Sequence, residues 1–285
     1  MISNQNNSLD WYRPGLGESW IIALLLLLGS FVFGILLALL KAIAPGATQV
    51  WELQSLVYPL TFVLPAIFIA VRANAAKRDA VMSGAIASPV NAPFFGKAGA
   101  AVIFILAALV IIAFVVMIDP LANLIPMPDL VKEIFEAAFK NTGLWDGIVA
   151  TCILAPILEE LLCRGIMCRG MLSRMDPWKA IFWSALIFAV IHMNPWQAIP
   201  AFLMGLLFGW LYYRTRCLWL TIFLHCLNNS IATVTMRMFP DMGMDQGLID
   251  LLPKDTYMVV YAVSLVVFAA AIYILYKVLP KRADE

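Results

Sequence analysis

Residues 147–168 read GIVATCILAPILEELLCRGIMC, an apolar run that carries two glutamates and an arginine in its second half. About 20 mostly apolar residues cross the roughly 30 Å of hydrocarbon in a bilayer, so this run predicts a membrane helix. Ionisable groups cost a few kcal/mol or more in such a helix and by default mark a working site. Helical spacing separates their roles. Glu160 and Arg164 stand at i and i+4 and can pair on one face, whereas Glu159 is turned about 100° away and is free to point elsewhere. Pro156, one turn earlier, removes a backbone donor and leaves a carbonyl to be satisfied by another group or by water. The bland alternative is a structural charge cluster where the helix meets the cytoplasm.

The rest of the chain has the same character. It is 63% hydrophobic and 13% charged, with a mean hydropathy of +0.89, which excludes an ordinary soluble domain. Eight candidate spans fall at roughly 20–43, 53–71, 98–118, 147–168, 178–193, 197–213, 217–235 and 256–279. The fold class expected is therefore an all-α polytopic membrane bundle, a single membrane domain over 1–285 whose fourth to seventh helices carry the site. The first span is far longer than the apolar core of a secretory signal and is expected to be retained. The second carries Pro59 and Pro65 and is expected to be kinked or broken. The fifth and sixth are short and joined by Met193 to Trp196, which predicts a tight helical hairpin.

Charge sets the orientation. The termini and the connections after the second, fourth and sixth spans hold 14 of the 19 Lys and Arg residues, Arg13, Arg164, Arg169, Arg214 and Arg282 among them. The other face has only Lys41, Lys132, Lys140, Arg237 and Lys254. This bias places both termini in the cytoplasm. The net charge of +1 gives no sign of a nucleic-acid partner, and lipid is the surrounding medium. Five cysteines lie in or beside apolar segments without metal-knuckle or disulfide-framework spacing and read as small core residues. Asp129 to Lys140 puts Leu130, Val131, Ile134, Phe135, Ala138 and Phe139 opposite Lys132, Glu133, Glu136 and Lys140, as in an interfacial amphipathic helix. Gly205 and Gly209 form a small-xxx-small pair, read as a helix-packing device.

Both histidines of the chain fall in apolar spans, His192 in the fifth and His225 in the seventh. Asn229 lies one turn beyond His225 on the same face, with Asn228 beside it. A carboxylate and an imidazole can take a proton from water, and a second imidazole with an amide can stabilise the oxyanion that follows attack on a carbonyl. Glu159, His192, His225 and Asn229 contain each part. Glu159, His192 and His225 could instead hold Zn²⁺ with an open position for water. On a depth count Glu159 and His225 fall near mid-membrane, while His192 lies nearer the outer end of its short helix.

EELLCR (159–164), FAVIH (188–192) and HCLNN (225–229) resemble the EExxxR, FxxxH and HxxxN signatures of the CPBP family of intramembrane proteases, over about residues 145–235. That family includes CAAX prenyl endopeptidases and bacterial bacteriocin-processing and immunity proteins. The resemblance implies that Glu159 is the general base assisted by His192, that His225 and Asn229 hold the oxyanion, and that Glu160 and Arg164 support the site. It implies a peptide or prenylated protein substrate, by either a zinc-dependent or a metal-free glutamate mechanism. A proton-coupled transporter and a catalytically silent scaffold or immunity protein are the readings from other classes. The lack of a detectable inverted repeat counts against the first.

Overall fold

The computed structural model describes residues 7–44, 53–123, 125–239, 243 and 246–281, and all regular elements among them are helical. The first half contains α1 (Leu16–Ile43), α2 (Gln54–Leu60), α3 (Val63–Ser83), α4 (Gly99–Ile118) and α5 (Asp129–Asn141). A continuous helical rod follows over residues 144–172. It consists of α6 (Leu144–Gly147), a π-helical stretch Ile148–Leu154, α7 (Ala155–Glu160), a second π-helical stretch Leu161–Cys168, and α8 (Arg169–Leu172). The chain ends in α9 (Pro177–Val190), α10 (Pro195–Thr215), α11 (Leu218–Met238), α12 (Leu248–Leu251) and α13 (Lys254–Val278).

The molecule is thus a helical membrane bundle, and each of the eight expected spans is helical. Among the described residues, three helices are by themselves long and apolar enough to cross a membrane: α1, the stretch Gly96–Leu121 around α4, and α13. A fourth is added if α2 and α3 count as one span, since they meet at 42°. That bend is the break the prolines predict: Pro59 lies inside α2, and Pro65 opens α3. The hairpin of α9 and α10 is also as expected. α9 has only 14 residues, about 21 Å at 1.5 Å per residue.

Two apolar clusters flank the rod. Ile103, Val110, Phe208, Leu220, Leu224 and Leu275 join α4, α10, α11 and α13. Ile22, Ile69, Leu162, Met167, Ile187 and Phe188 join α1, α3, the rod and α9. The two glycines of α10 supply the close approach to α9. A Cβ on Gly205 would stand 2.9 Å from the Ala185 Cα, and one on Gly209 would stand 3.0 Å from the Ile181 side chain. α5 forms as the amphipathic pattern predicts, with Leu130 and Ile134 exposed. The side chains of Ala138 and Lys140 lie outside the described residues, as does Arg282.

The two ends of the bundle are built differently. At the end where the described chain begins and finishes, the buried Arg169 donates to the carbonyls of Leu9 and Tyr12 at 2.7 Å each and to those of Gly165 and Ser88. Arg214, likewise buried, donates to Pro280 and Leu279 carbonyls at 2.8 Å each. A buried guanidinium is tolerated there because backbone oxygens meet its donors. At the other end, the amide of Gln54 donates to Asp146 at 2.7 Å, Trp196 Nε1 to the Ile125 carbonyl at 3.1 Å, and Leu248 N to Asp119 at 2.6 Å.

Candidate active site

Pro156 shapes the rod where the glutamates begin. An α-helical Pro156 would clash with the Cys152 carbonyl and could not donate to it, and the chain responds with the wider π turn before it. In that register the Ala155 amide reaches back to the Ala150 carbonyl, and Pro156 has no amide to offer Thr151. The Thr151 carbonyl thereby loses its helical donor, and the Asn229 side-chain amide from α11 fills the place at 2.8 Å. The acceptor that Pro156 was expected to free is met by a motif residue. Asn228 in turn donates to Asn229 Oδ1 at 3.1 Å, which settles which end of the Asn229 amide is the donor.

Glu159 and Glu160 leave the rod in different directions. Glu160 is fully buried, accepts from Arg164 at 2.7 Å and contacts His225 Nδ1 at 3.1 Å. Arg164 also donates to the Gly205 carbonyl at 3.2 Å and lies between the rings of Phe188 and Phe208, at 4.3 and 5.5 Å. The expected ion pair is present and sealed in the interior, so the alternative of a charge cluster at the membrane surface does not describe it. Glu159 instead lines a cavity of about 580 Å³. Its Oε1 accepts the hydroxyl of Tyr58 on α2. Its Oε2 has no hydrogen-bond partner among the described residues and stands 4.0 Å from His225 Nε2.

The same cavity is lined by His192, His225, Asn228 and Asn229. His192 lies just beyond the end of α9, in the turn that leads to α10. Its Nδ1 is tied to the Phe188 carbonyl at 2.7 Å, and its own carbonyl accepts from Asn194 at 2.9 Å. Asn194 caps α10 by accepting from Gln197 N at 2.8 Å, and Met193 takes a left-handed φ of 56° to close the turn. The short α9 and this turn bring His192 onto the wall of the same cavity as Glu159 and His225. Phe188 packs edge-on to both histidines, at 4.9 and 5.6 Å between ring centroids.

Two expectations change. His192 makes no hydrogen bond or ion pair with either glutamate, and the imidazole beside Glu159 is that of His225. The zinc alternative also fails a fit test: among the described residues no three His, Cys, Asp or Glu side chains come together closely enough to share a metal ion. Glu159, His192 and His225 therefore do not stand as a ligand set in this arrangement.

Tyr58 was not singled out from sequence. Its one signal was a phenol in an apolar helix, where the hydroxyl needs a partner. α2 is held in place from its start by Asp146, which accepts from the Ser55 hydroxyl, the Ser55 amide at 2.9 Å and the Gln54 amide at 2.7 Å. Partial burial lifts the Asp146 carboxyl, but these donors outweigh it and hold it below the usual carboxylate value.

Residues 141–231 match the family model of the type II CAAX prenyl endopeptidase Rce1-like proteins. Over 87 residues the chain is 30% identical to a Bacillus subtilis (strain 168) protein described as "Putative membrane peptidase YdiL". That alignment covers 30% of this chain and 36% of the relative, so the chain spans about a third of the length of the curated protein it matches. No solved structure matches it significantly. The matched stretch holds all three motifs and every cavity-lining residue named from them, so the likeness to the Rce1-like endopeptidases and to the Bacillus protein rests on the part of the chain that builds the cavity.

Proposed function

We propose that the protein is an intramembrane endopeptidase in which Glu159 takes a proton from the water that attacks a peptide carbonyl. The observation that carries this reading is the Glu159 carboxylate itself: one oxygen fixed by Tyr58, the other unpaired and beside His225 Nε2 on the wall of a cavity. Glu160 Oε2 is also without a partner but is sealed from the cavity, whereas the free oxygen of Glu159 belongs to a cavity-lining residue, where a reacting water can meet it and offset the roughly 1–3 kcal/mol that an unpaired buried polar atom costs. The 4.0 Å between Glu159 Oε2 and His225 Nε2 is too long for a direct bond and lets one water contact both.

The remaining roles follow from the donors on hand. Asn229 keeps a second amide N–H beyond the one given to Thr151, and His225 holds Nε2 at the cavity while Nδ1 rests on Glu160. With a proton on Nε2, these two groups can hold the oxygen of the tetrahedral intermediate. His192 offers its own Nε2 from the cavity wall as a second proton carrier assisting Glu159. Glu160 and Arg164 orient His225 from behind, much as a buried carboxylate orients a histidine in a hydrolase triad. Every step uses side chains alone.

The test is cleavage of a quenched fluorescent farnesylated CAAX peptide, and of the same peptide without the lipid, by the purified protein. Wild type is expected to cleave at least one of them and Glu159→Gln neither, with both proteins eluting as the same folded species. Full cleavage by Glu159→Gln removes Glu159 as the base.

A further inference from the structure

The floor of the cavity is closed toward the termini. Behind Glu159 lie Glu160 and Arg164, both without solvent exposure, backed by Phe188, Phe208 and Cys163. The rim lies at the opposite end. Gln54, Thr142, Leu144, Gln197 and Arg237 line it, and Gln54, Leu144, Gln197 and Arg237 are exposed. Thr142, Leu144 and Arg237 come from the connections after the third and seventh expected spans, and Gln54 and Gln197 from the first residues of the second and sixth. Hydrogen bonds join these segments to one another: Gln54 Nε2 donates to the Thr142 hydroxyl at 2.9 Å, and Arg237 to the Thr142 carbonyl at 3.1 Å. At the far end, the Phe94 amide donates to the Thr215 carbonyl at 2.8 Å and Arg169 reaches Leu9 and Tyr12, and none of these residues lines the cavity. The mouth therefore belongs to one face of the bundle, the one without the termini.

That face is poor in cations. Only 5 of the 19 Lys and Arg residues fall on it, against 13 on the side of the termini once Arg164, sealed in the interior, is set aside. A difference of this size in short connections keeps the cation-rich side in the cytoplasm. We propose that the cavity is loaded from the non-cytoplasmic face, and that its occupant is a peptide segment exposed there rather than a prenylated cytoplasmic tail. Phe135, Phe139, Trp196, Met204 and Met236 give the walls apolar surface for its side chains. Gln54, Thr142 and Gln197 offer the rim groups that pair with an extended backbone. The nature of the occupant rests on the peptidase reading; the sidedness does not.

Sidedness can be measured without any cleavage. Asp255→Cys sits on the face of the mouth and Ser83→Cys on the face of the termini; both positions are exposed, while four of the five native cysteines are buried. Spheroplasts expressing each full-length variant, with wild type as background, are treated with a membrane-impermeant maleimide before and after permeabilisation. Labelling of Asp255→Cys in intact spheroplasts and of Ser83→Cys only after permeabilisation is expected, with at least a tenfold contrast. The reverse pattern, or no contrast, overturns the proposal. The detergent-solubilised protein is then offered the farnesylated and unprenylated peptides, where sidedness no longer matters. Cleavage of the unprenylated peptide is expected. Cleavage of the farnesylated one alone, or of neither, overturns the proposed occupant, and the second result also defeats the peptidase reading itself.

Discussion

Glu159 and Glu160 are neighbours in the chain, yet one stands on the wall of the cavity and the other in the sealed packing behind it. Glu160 has no solvent exposure and meets Arg164 and His225 within 3.1 Å. Glu159 meets Tyr58 through one oxygen and leaves the other unpaired beside an imidazole. Each carboxylate has one oxygen without a hydrogen-bond partner, so the difference teaches that two carboxylates of one motif can be assigned by their surroundings. The one that pairs with a buried arginine and is sealed from solvent holds structure, and the one whose free oxygen stands on a cavity wall is available for chemistry.

The most direct way to break this contrast is to neutralise each glutamate in turn. Glu159→Gln keeps the shape and removes the proposed base, so kcat is expected to fall by about 10²–10⁴, the usual range for a general base. Its melting temperature should stay within a degree or two of wild type. Glu160→Gln and Arg164→Ala are expected to do the opposite first, because each strands a buried charge. Losing one partner of such a pair costs about 3–5 kcal/mol, read as a marked drop in melting temperature and in yield of folded protein. Normal thermal stability in both variants would show that the pair has no structural role.

Much of this contrast was legible in the sequence. The i, i+4 spacing of Glu160 and Arg164 predicts their pairing and turns Glu159 elsewhere, and polar residues concentrated in three apolar spans predict their convergence. The missing parts depend on tertiary context. Tyr58 lies 101 positions from Glu159, on a short helix whose neighbours are those of any packing aromatic. His192 reads as a helical residue because nothing in FAVIH marks the end of α9; the turn is set by Asn194 capping the next helix. Arg169 reads as a surface cation next to a connection, yet it is buried because carbonyls from the N-terminal segment and from Ser88 fold over it. A hydrogen bond between distant segments has no local pattern to reveal it.

Tyr58→Phe sharpens the comparison from the cavity side. The substitution removes one hydroxyl and leaves the ring that packs against Phe62 at 5.5 Å between centroids. Glu159 then loses the bond that fixes Oε1, and a hydrogen bond to a charged group is worth about 1.5–3 kcal/mol. Spread between folding and positioning, this predicts a fall in kcat of about tenfold, with KM and melting temperature little changed. An unchanged kcat would mean that Glu159 is oriented by the rod alone.

The smallest effect expected is at Pro156, where it tests how the two regions are joined. Pro156 denies the Thr151 carbonyl a helical donor, and that carbonyl holds Asn229 from the facing helix. Pro156→Ala restores an amide to the rod, which competes with Asn229 for the same oxygen or draws the rod back to α-helical bonding. A proline inside a helix costs about 3 kcal/mol, so the variant is expected to melt no lower than wild type and to gain stability if the rod straightens. Cleavage should nevertheless slow by a factor of about 3–10 through kcat, since Asn229 loses its tether. Asn229→Ala removes the same amide outright, so the double variant should be no slower than Asn229→Ala alone, the non-additivity expected of residues acting through one contact. Additive losses would separate the proline from the asparagine and leave the π turn as a packing feature only.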